Sequence, residues 1–287
     1  MESALGQTLL SPLALALLGL CIGSFLNVVI HRLPLILERG WRAEAAELLG
    51  VPTPVPGERI GIATPRSRCP ACGHAIAWHE NIPLLSYLWL RGRCSACSAR
   101  ISLRYPVVEV LTAALFAAIG HRFGAQPVTL LWCAFAAVLV ALAAIDWDTT
   151  LLPDGLSLPL LWGGLIASAA GWTIPLPTAL WGAVAGYLSL WAVYWLFKLT
   201  TGKEGMGYGD FKLLAALGAW MGAGALLPIV LLSSLIGAIV GGIALALQGR
   251  DRSTPIPFGP FIAAAGWVWF VFGDRLGALY ARLFGLA

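Results

Sequence analysis

Apolar residues fall in eight runs along the chain, at about 9–30, 107–120, 127–145, 155–172, 178–197, 206–223, 225–247 and 258–273, separated by polar breaks. This pattern predicts eight helices. Several approach the roughly 20 residues that cross a bilayer, while the second, sixth and eighth are shorter, which suits tilted, partly re-entrant or interfacially extended segments. The pattern divides the chain into a first transmembrane helix over 1–31, a polar loop over 32–105 and a helical bundle over 106–287. Within the loop, residues 35–65 hold several Glu and Pro and no evident core, whereas residues 66–105 carry four cysteines and read as a small stapled module.

Composition agrees with a membrane protein: of 287 residues, 59% are hydrophobic and 11% charged, with 13 Trp, 33 Gly and 18 Pro. A soluble globular domain is excluded by such a balance. Bilayers tolerate Gly and Pro in helices and collect aromatic residues at their interfaces. Alternate threading of the eight helices puts 15 of the 18 Lys and Arg on the side holding residues 32–105, leaving Arg122, Arg275 and Arg282 opposite. Because basic residues sort to the cytoplasm, the loop is expected there and the N-terminus outside. The first run follows Glu2 and precedes His31 and Arg32, the reverse of a cleavable signal's charge order, so this helix is expected to stay. Nothing in the charge pattern calls for a nucleic-acid partner.

Cys69-Pro-Ala-Cys72 and Cys94-Ser-Ala-Cys97 are two Cys-x-x-Cys turns with 21 residues between them. Paired turns of this kind build tetrahedral four-thiolate zinc sites. Two disulfides are the competing reading, but a cytoplasmic loop keeps its thiols reduced. A structural zinc ion would supply stability that so small an apolar content cannot. The expected fold is therefore an all-α polytopic membrane protein of about eight transmembrane helices with a cytoplasmic zinc-ribbon-like loop. Cys21 and Cys133, inside predicted helices, read as small core residues.

Two acidic clusters lie at the cytoplasmic ends of apolar runs: Asp146-Trp147-Asp148 followed by Leu152-Pro153-Asp154, and Gly205-Met206-Gly207-Tyr208-Gly209-Asp210. Ionisable groups at the edge of hydrocarbon are costly and tend to be functional. Asp146 ends the third run and Asp210 begins the sixth, so packed helices bring them to one depth. Two carboxyls in one site do not readily ionise together, so one carries charge while the other keeps its proton. The charged member can activate water and the protonated member can polarise a scissile carbonyl. Asp148 and Asp154 also suit solvated helix ends, and Asp154, after Pro153, suits capping of the fourth helix. None of His31, His74, His79 and His121 is assigned a role.

These residues resemble the bacterial type IV prepilin peptidase family across nearly the whole chain. The resemblance rests on Gly23 to Ile30 with Arg32-Leu33-Pro34, the two cysteine turns, Glu80-Asn81-Ile82-Pro83, Arg104 to Glu109, Asp146 to Asp154, Gly207 to Lys212, and Pro257 to Phe261. It implies an aspartyl protease whose catalytic pair is Asp146 and Asp210, the latter in the Gly-x-Gly-Asp motif shared with presenilin-like proteases. It implies substrates that are type IV prepilins and pseudopilins, cut after Gly at the cytoplasmic face of the bacterial inner (cytoplasmic) membrane. It also implies N-methylation of the new terminus with S-adenosylmethionine, for which the cysteine-bearing loop argues and no local nucleotide-binding fingerprint does. Glu109, three residues into the second apolar run, is the candidate for the methyl-donor site; an ion pair with Arg104 or another base of the loop is the alternative. The stretch from Glu38 to Glu58 matches no expected function. Competing readings are a presenilin-type protease without methyl transfer, a proton-coupled transporter relaying protons through Asp146 and Asp210, and a membrane-tethered zinc-ribbon scaffold.

Overall fold

The computed structural model describes residues 4–52, 60–248 and 257–283. Their regular structure is helical. The eight principal helices are α1 (Pro12–Leu48), α2 (Arg104–Phe123), α3 (Pro127–Thr149), α4 (Asp154–Ala169), α5 (Leu176–Thr201), α6 (Tyr208–Met221), α7 (Leu226–Gln248) and α8 (Gly259–Leu283). Each apolar run thus became one helix. Five stretches are long and apolar enough to cross a membrane, within α1, α2, α3, α5 and the α7 region, so the chain is an all-α polytopic membrane protein. Arg250 and Arg252, which enter the charge count above, lie outside the described residues. The chain forms two compact units, Met1–Ala141 and Leu142–Ala287.

In the first unit α1 departs from expectation. It does not stop at the polar break near residue 31 but continues through Pro34 to Leu48, 37 residues in all. The expected loop therefore begins as helix. The physical reason is local: Ala43-Glu44-Ala45-Ala46-Glu47-Leu48 is made of strong helix formers, and Glu38 pairs with Arg42 one turn on, at 2.6 Å. The end is a Schellman turn. Gly50 takes φ 62°, Gly50 N–H donates to the Glu47 carbonyl at 3.2 Å, and Val51 N–H to the Ala46 carbonyl at 3.1 Å.

α1 packs along α2, and the approach is close because small residues line it. A Cβ on Gly19 would sit 2.7 Å from the Ala113 Cα, and one on Gly23 2.7 Å from the Glu109 Cα. Buried Asn27 donates from Nδ2 to the Tyr105 carbonyl at 3.1 Å, fixing the register of the pair. Arg32 donates to the carbonyls of Gly61 and Ile62 at 3.0 and 3.2 Å and ties the returning loop to α1.

The second unit is built around α6. This helix has 14 residues, about 21 Å at 1.5 Å per residue, and is too short to span hydrocarbon alone. It need not face lipid. Ten of its residues, Asp210, Phe211 and Leu213 through Trp220, are buried against α4, α5 and α8. A helix apolar on every side belongs inside a bundle. Gly182 of α5 and Gly218 of α6 bring the two backbones into direct contact, so a Cβ on either would strike the other's carbonyl. Trp220 completes the packing by donating from Nε1 to the Leu160 carbonyl of α4 at 2.8 Å.

Replacing Gly182 with Leu should therefore destabilise the second unit by roughly 1–3 kcal/mol, the usual range for overpacking. Gly242→Ala, inside α7 where an added Cβ meets nothing within 4 Å, should not lower stability. Thermal unfolding of the two variants in detergent checks this.

Candidate active site

The second unit brings four chain ends to one place. Asp146 lies on the last turn of α3, Leu152 in the connection to α4, Asp210 is the third residue of α6, and Gly259 opens α8. Both aspartates are buried, at 4% and 7% exposure, whereas Asp148, two residues from Asp146, is exposed. The structure thus singles out Asp146 and Asp210. Leu152 touches both Gly209, the neighbour of Asp210, and Gly259, the residue packed on Asp146 Oδ2, so the two acids flank one side chain.

Asp146 is held by backbone. The first N–H groups of a helix have no partner within it, and the Gly259 N–H at the start of α8 donates to Asp146 Oδ2 at 2.9 Å in a buried bond. Only glycine fits, because a Cβ there would approach Asp146 Oδ2 to 2.6 Å. Leu152 fills the space between the two glycines that flank the acids. Its side chain would meet a Cβ on Gly209 at 2.7 Å and one on Gly259 at 3.2 Å. Trp147 and Phe261 meet edge to face at 6.4 Å beside this turn. A cavity of about 280 Å³, lined by Ser234, Gly237, Ala238, Pro257, Phe258 and Phe261, adjoins the same segment of α8.

Asp154 behaves differently from the capping role its position suggested. Pro153 occupies the cap position of α4 with no side-chain capping bond, and the Asp154 carboxylate instead receives Lys212 Nζ of α6 on both oxygens, at 2.6 and 2.8 Å. Tyr208 packs against Tyr194 and Phe211 at ring distances of 5.3 and 5.2 Å. Glu204, in the preceding connection, pairs with Lys198 at 2.8 Å. These contacts fasten the glycine-rich approach to Asp210 from the α5 side.

In the first unit the four cysteines come together. Their sulfurs all lie within 4.8 Å of one another, with Cys69 and Cys97 at 3.8 Å and Cys72 and Cys94 at 4.0 Å. A disulfide needs about 2.05 Å, whereas thiolates about 2.3 Å from one tetrahedral zinc stand a little under 4 Å apart. The donor set therefore fits a metal, and all six cysteines of the chain are free.

The two turns are copies of one motif. Gly73 N–H donates to the Cys69 carbonyl and Cys69 N–H to the His74 carbonyl, as Ser98 N–H does to Cys94 and Cys94 N–H to Ala99, all at 2.9 Å. Gly73 and Ser98 hold the same left-handed position, at φ 75° and 59°. Backbone N–H groups of Cys72 and Ala71 bring the Cys69 thiol down to about 7, while the crowding of the Cys97, Cys69 and Cys94 sulfurs pushes the Cys72 thiol up to about 12.

Glu80, named above only as part of a motif, clasps the module. The Ser95 hydroxyl, the Ala77 N–H and the His74 imidazole hold its carboxyl down at about 2; the N–H lies 2.8 Å and the imidazole 3.1 Å from Oε2. No spacing rule pointed to this network. His79 beside it is exposed. Cys133 is buried as expected, but Cys21 lies exposed on α1 and is not a core residue.

Glu109 is buried at 7% exposure, and its Oε2 accepts the Leu84 N–H at 2.7 Å. This polar partner, which sequence spacing could not supply, joins the loop to α2. Leu84 stands at φ 60°, an uncommon conformation for a side chain of its size.

Fold and site together define a polytopic helical membrane protein with two buried aspartates and a four-cysteine cluster whose geometry fits a metal. The chain matches the bacterial Peptidase A24 N-terminal domain over residues 17–123 and the type IV leader peptidase family over residues 133–242. The chain belongs to the type IV leader peptidase family. It is 55% identical to the prepilin leader peptidase/N-methyltransferase of Aeromonas salmonicida over 92% of this chain and 91% of that one. It is 54% identical to that of Pseudomonas aeruginosa over 94% and 93%, and 51% identical to that of Xanthomonas campestris over 95% of each. No solved structure matches it at a significant level.

Metal analysis of the purified protein is expected to find about one divalent metal per chain, and Cys97→Ser is expected to lower that occupancy, since one ligand of four is lost.

Proposed function

We propose that this protein removes the leader of type IV prepilins and pseudopilins after Gly, at the cytoplasmic face of the bacterial inner membrane, and then methylates the new N-terminus. The observation that carries the reading is the burial of Asp146 and Asp210 at helix ends on either side of Leu152, with Asp146 held by the Gly259 N–H. In this reading the charged member takes a proton from water while the protonated member polarises the scissile carbonyl, and the pair titrates as one unit. Gly207 and Gly209 keep side chains away from the peptide backbone, and the cleft beside Phe258 and Phe261 accommodates apolar substrate residues. A transporter would hold its acids near the bilayer midplane, whereas these two stand at helix ends.

The cysteine cluster holds a structural zinc ion in this reading, with four thiolates and no open position for substrate water. S-adenosylmethionine supplies the methyl group. The Glu109 carboxylate keeps lone pairs beyond the one engaged by Leu84 and suits a ligand carrying a sulfonium and an amino group. That fit, together with the names of the relatives, supports Glu109 as part of the donor site.

Asp146→Asn and Asp210→Asn are each expected to abolish cleavage of a prepilin by the purified enzyme while both variants still insert and fold, because a dyad needs both members. Substantial processing by either variant would overturn the assignment. The two reactions should also separate. Offered a pre-cleaved pilin and labelled S-adenosylmethionine, Asp210→Asn should still transfer methyl, and Glu109→Gln should lose transfer yet cleave full-length prepilin. Mass analysis reads each product independently.

A further inference from the structure

The separation of two acids on different helices must be set by something, and neither acid has the other's helix as its backbone partner. Asp146 belongs to the end of α3, which is followed by only four residues, Thr150 to Pro153, before Asp154 opens α4. Asp154 reaches across to Lys212, which lies on α6 two residues beyond Asp210. A short closed circuit results, running from Asp146 through the connection to Asp154, across the ion pair to Lys212 and back along α6 to Asp210. Inside the circuit Leu152 is wedged between Gly209 and Gly259.

Two further features define this circuit. Thr150, a β-branched residue, is turned into the left-handed region at φ 53°, which its neighbours must enforce. Its N–H returns to the Asp146 carbonyl at 2.8 Å, so the turn begins on the acid-bearing residue itself. Lys212 also has no second acceptor among the described residues; both of its bonds go to Asp154.

The pair contributes little to global stability, because its side chains remain 27% and 57% exposed and ion pairs so solvated are worth little. Its geometry, however, is bidentate and short, and an ångström of displacement in an active site can slow a reaction a hundredfold. We infer that Lys212 and Asp154 are positioning residues whose ion pair sets the spacing of Asp146 and Asp210. This inference rests on the proposed protease reading. It extends that reading to two residues that touch neither water nor peptide.

The test is steady-state cleavage of a prepilin by the full-length enzyme in detergent, with the wild type and Asp210→Asn run in parallel. Lys212→Met and Asp154→Asn are each expected to lower kcat about tenfold to a hundredfold with KM within about twofold, the signature of lost geometry rather than lost binding. The double variant should fall no further than either single change, since both remove one interaction. Exchanging the charges, Asp154→Lys with Lys212→Asp, should recover much of the loss, which a packing role for either side chain would not allow. Thermal midpoints should stay within a few degrees of wild type. Unchanged kcat in both single variants, losses that multiply in the double variant, or a loss carried by KM would each overturn the inference. A wild type that does not cleave, or an Asp210→Asn enzyme that does, would overturn the protease reading and this inference with it. A cleaving wild type and a dead Asp210→Asn beside an unimpaired Lys212→Met would overturn the positioning role alone.

Discussion

The second unit depends on the burial of α6. A 14-residue helix cannot cross hydrocarbon by itself, and a carboxylate near its start could not remain in contact with lipid at acceptable free energy. Enclosure by α4, α5 and α8 meets both constraints. The enclosure is possible because Gly182 and Gly218 let α5 and α6 touch backbone to backbone, leaving no bulky side chain between them. Everything that fixes Asp210 follows from this: its helix is immobilised on three sides, and its approach is anchored by Tyr208 on Tyr194 and Phe211.

Around that fixed point the site uses helix ends as tools. The Gly259 N–H is one of the donors a helix cannot satisfy internally, and Asp146 accepts it. Asp154, at another helix start, leaves the capping position to Pro153 and spends its carboxylate on Lys212. In both cases a group whose local sequence suggested a solvated end is recruited across the structure. Glycine is needed at 209 and 259 because Leu152 and Asp146 press against those positions, so the glycines near the acids serve packing as well as access.

The first unit solves a different problem. Its loop is drawn together by a four-cysteine cluster, two matched backbone turns and the Glu80 clasp. The loop is then joined to the membrane helices by single polar contacts: Arg32 to the carbonyls of Gly61 and Ile62, and Glu109 to the Leu84 N–H. Buried polar groups of this kind are strong constraints, since removing one partner strands the other.

The sequence by itself determined the number and place of the eight helices, because an apolar run can be stable in a bilayer only as a helix. It determined the cysteine cluster as well, since Cys-x-x-Cys spacing dictates local turn geometry regardless of what lies around it. It also marked Asp146 and Asp210 as acids at the edge of apolar runs. It misjudged the end of α1, where helix propensity and the Glu38–Arg42 pair outweighed the polar break at residue 31. Only the tertiary structure buried Asp146 while leaving Asp148 exposed, assigned Gly259 to Asp146 across 113 positions, turned Asp154 from a cap into the partner of Lys212, and gave Glu109 the Leu84 N–H. The reason is that hydrogen bonds and ion pairs between distant segments depend on which helix faces which, and periodicity along a chain carries no record of that.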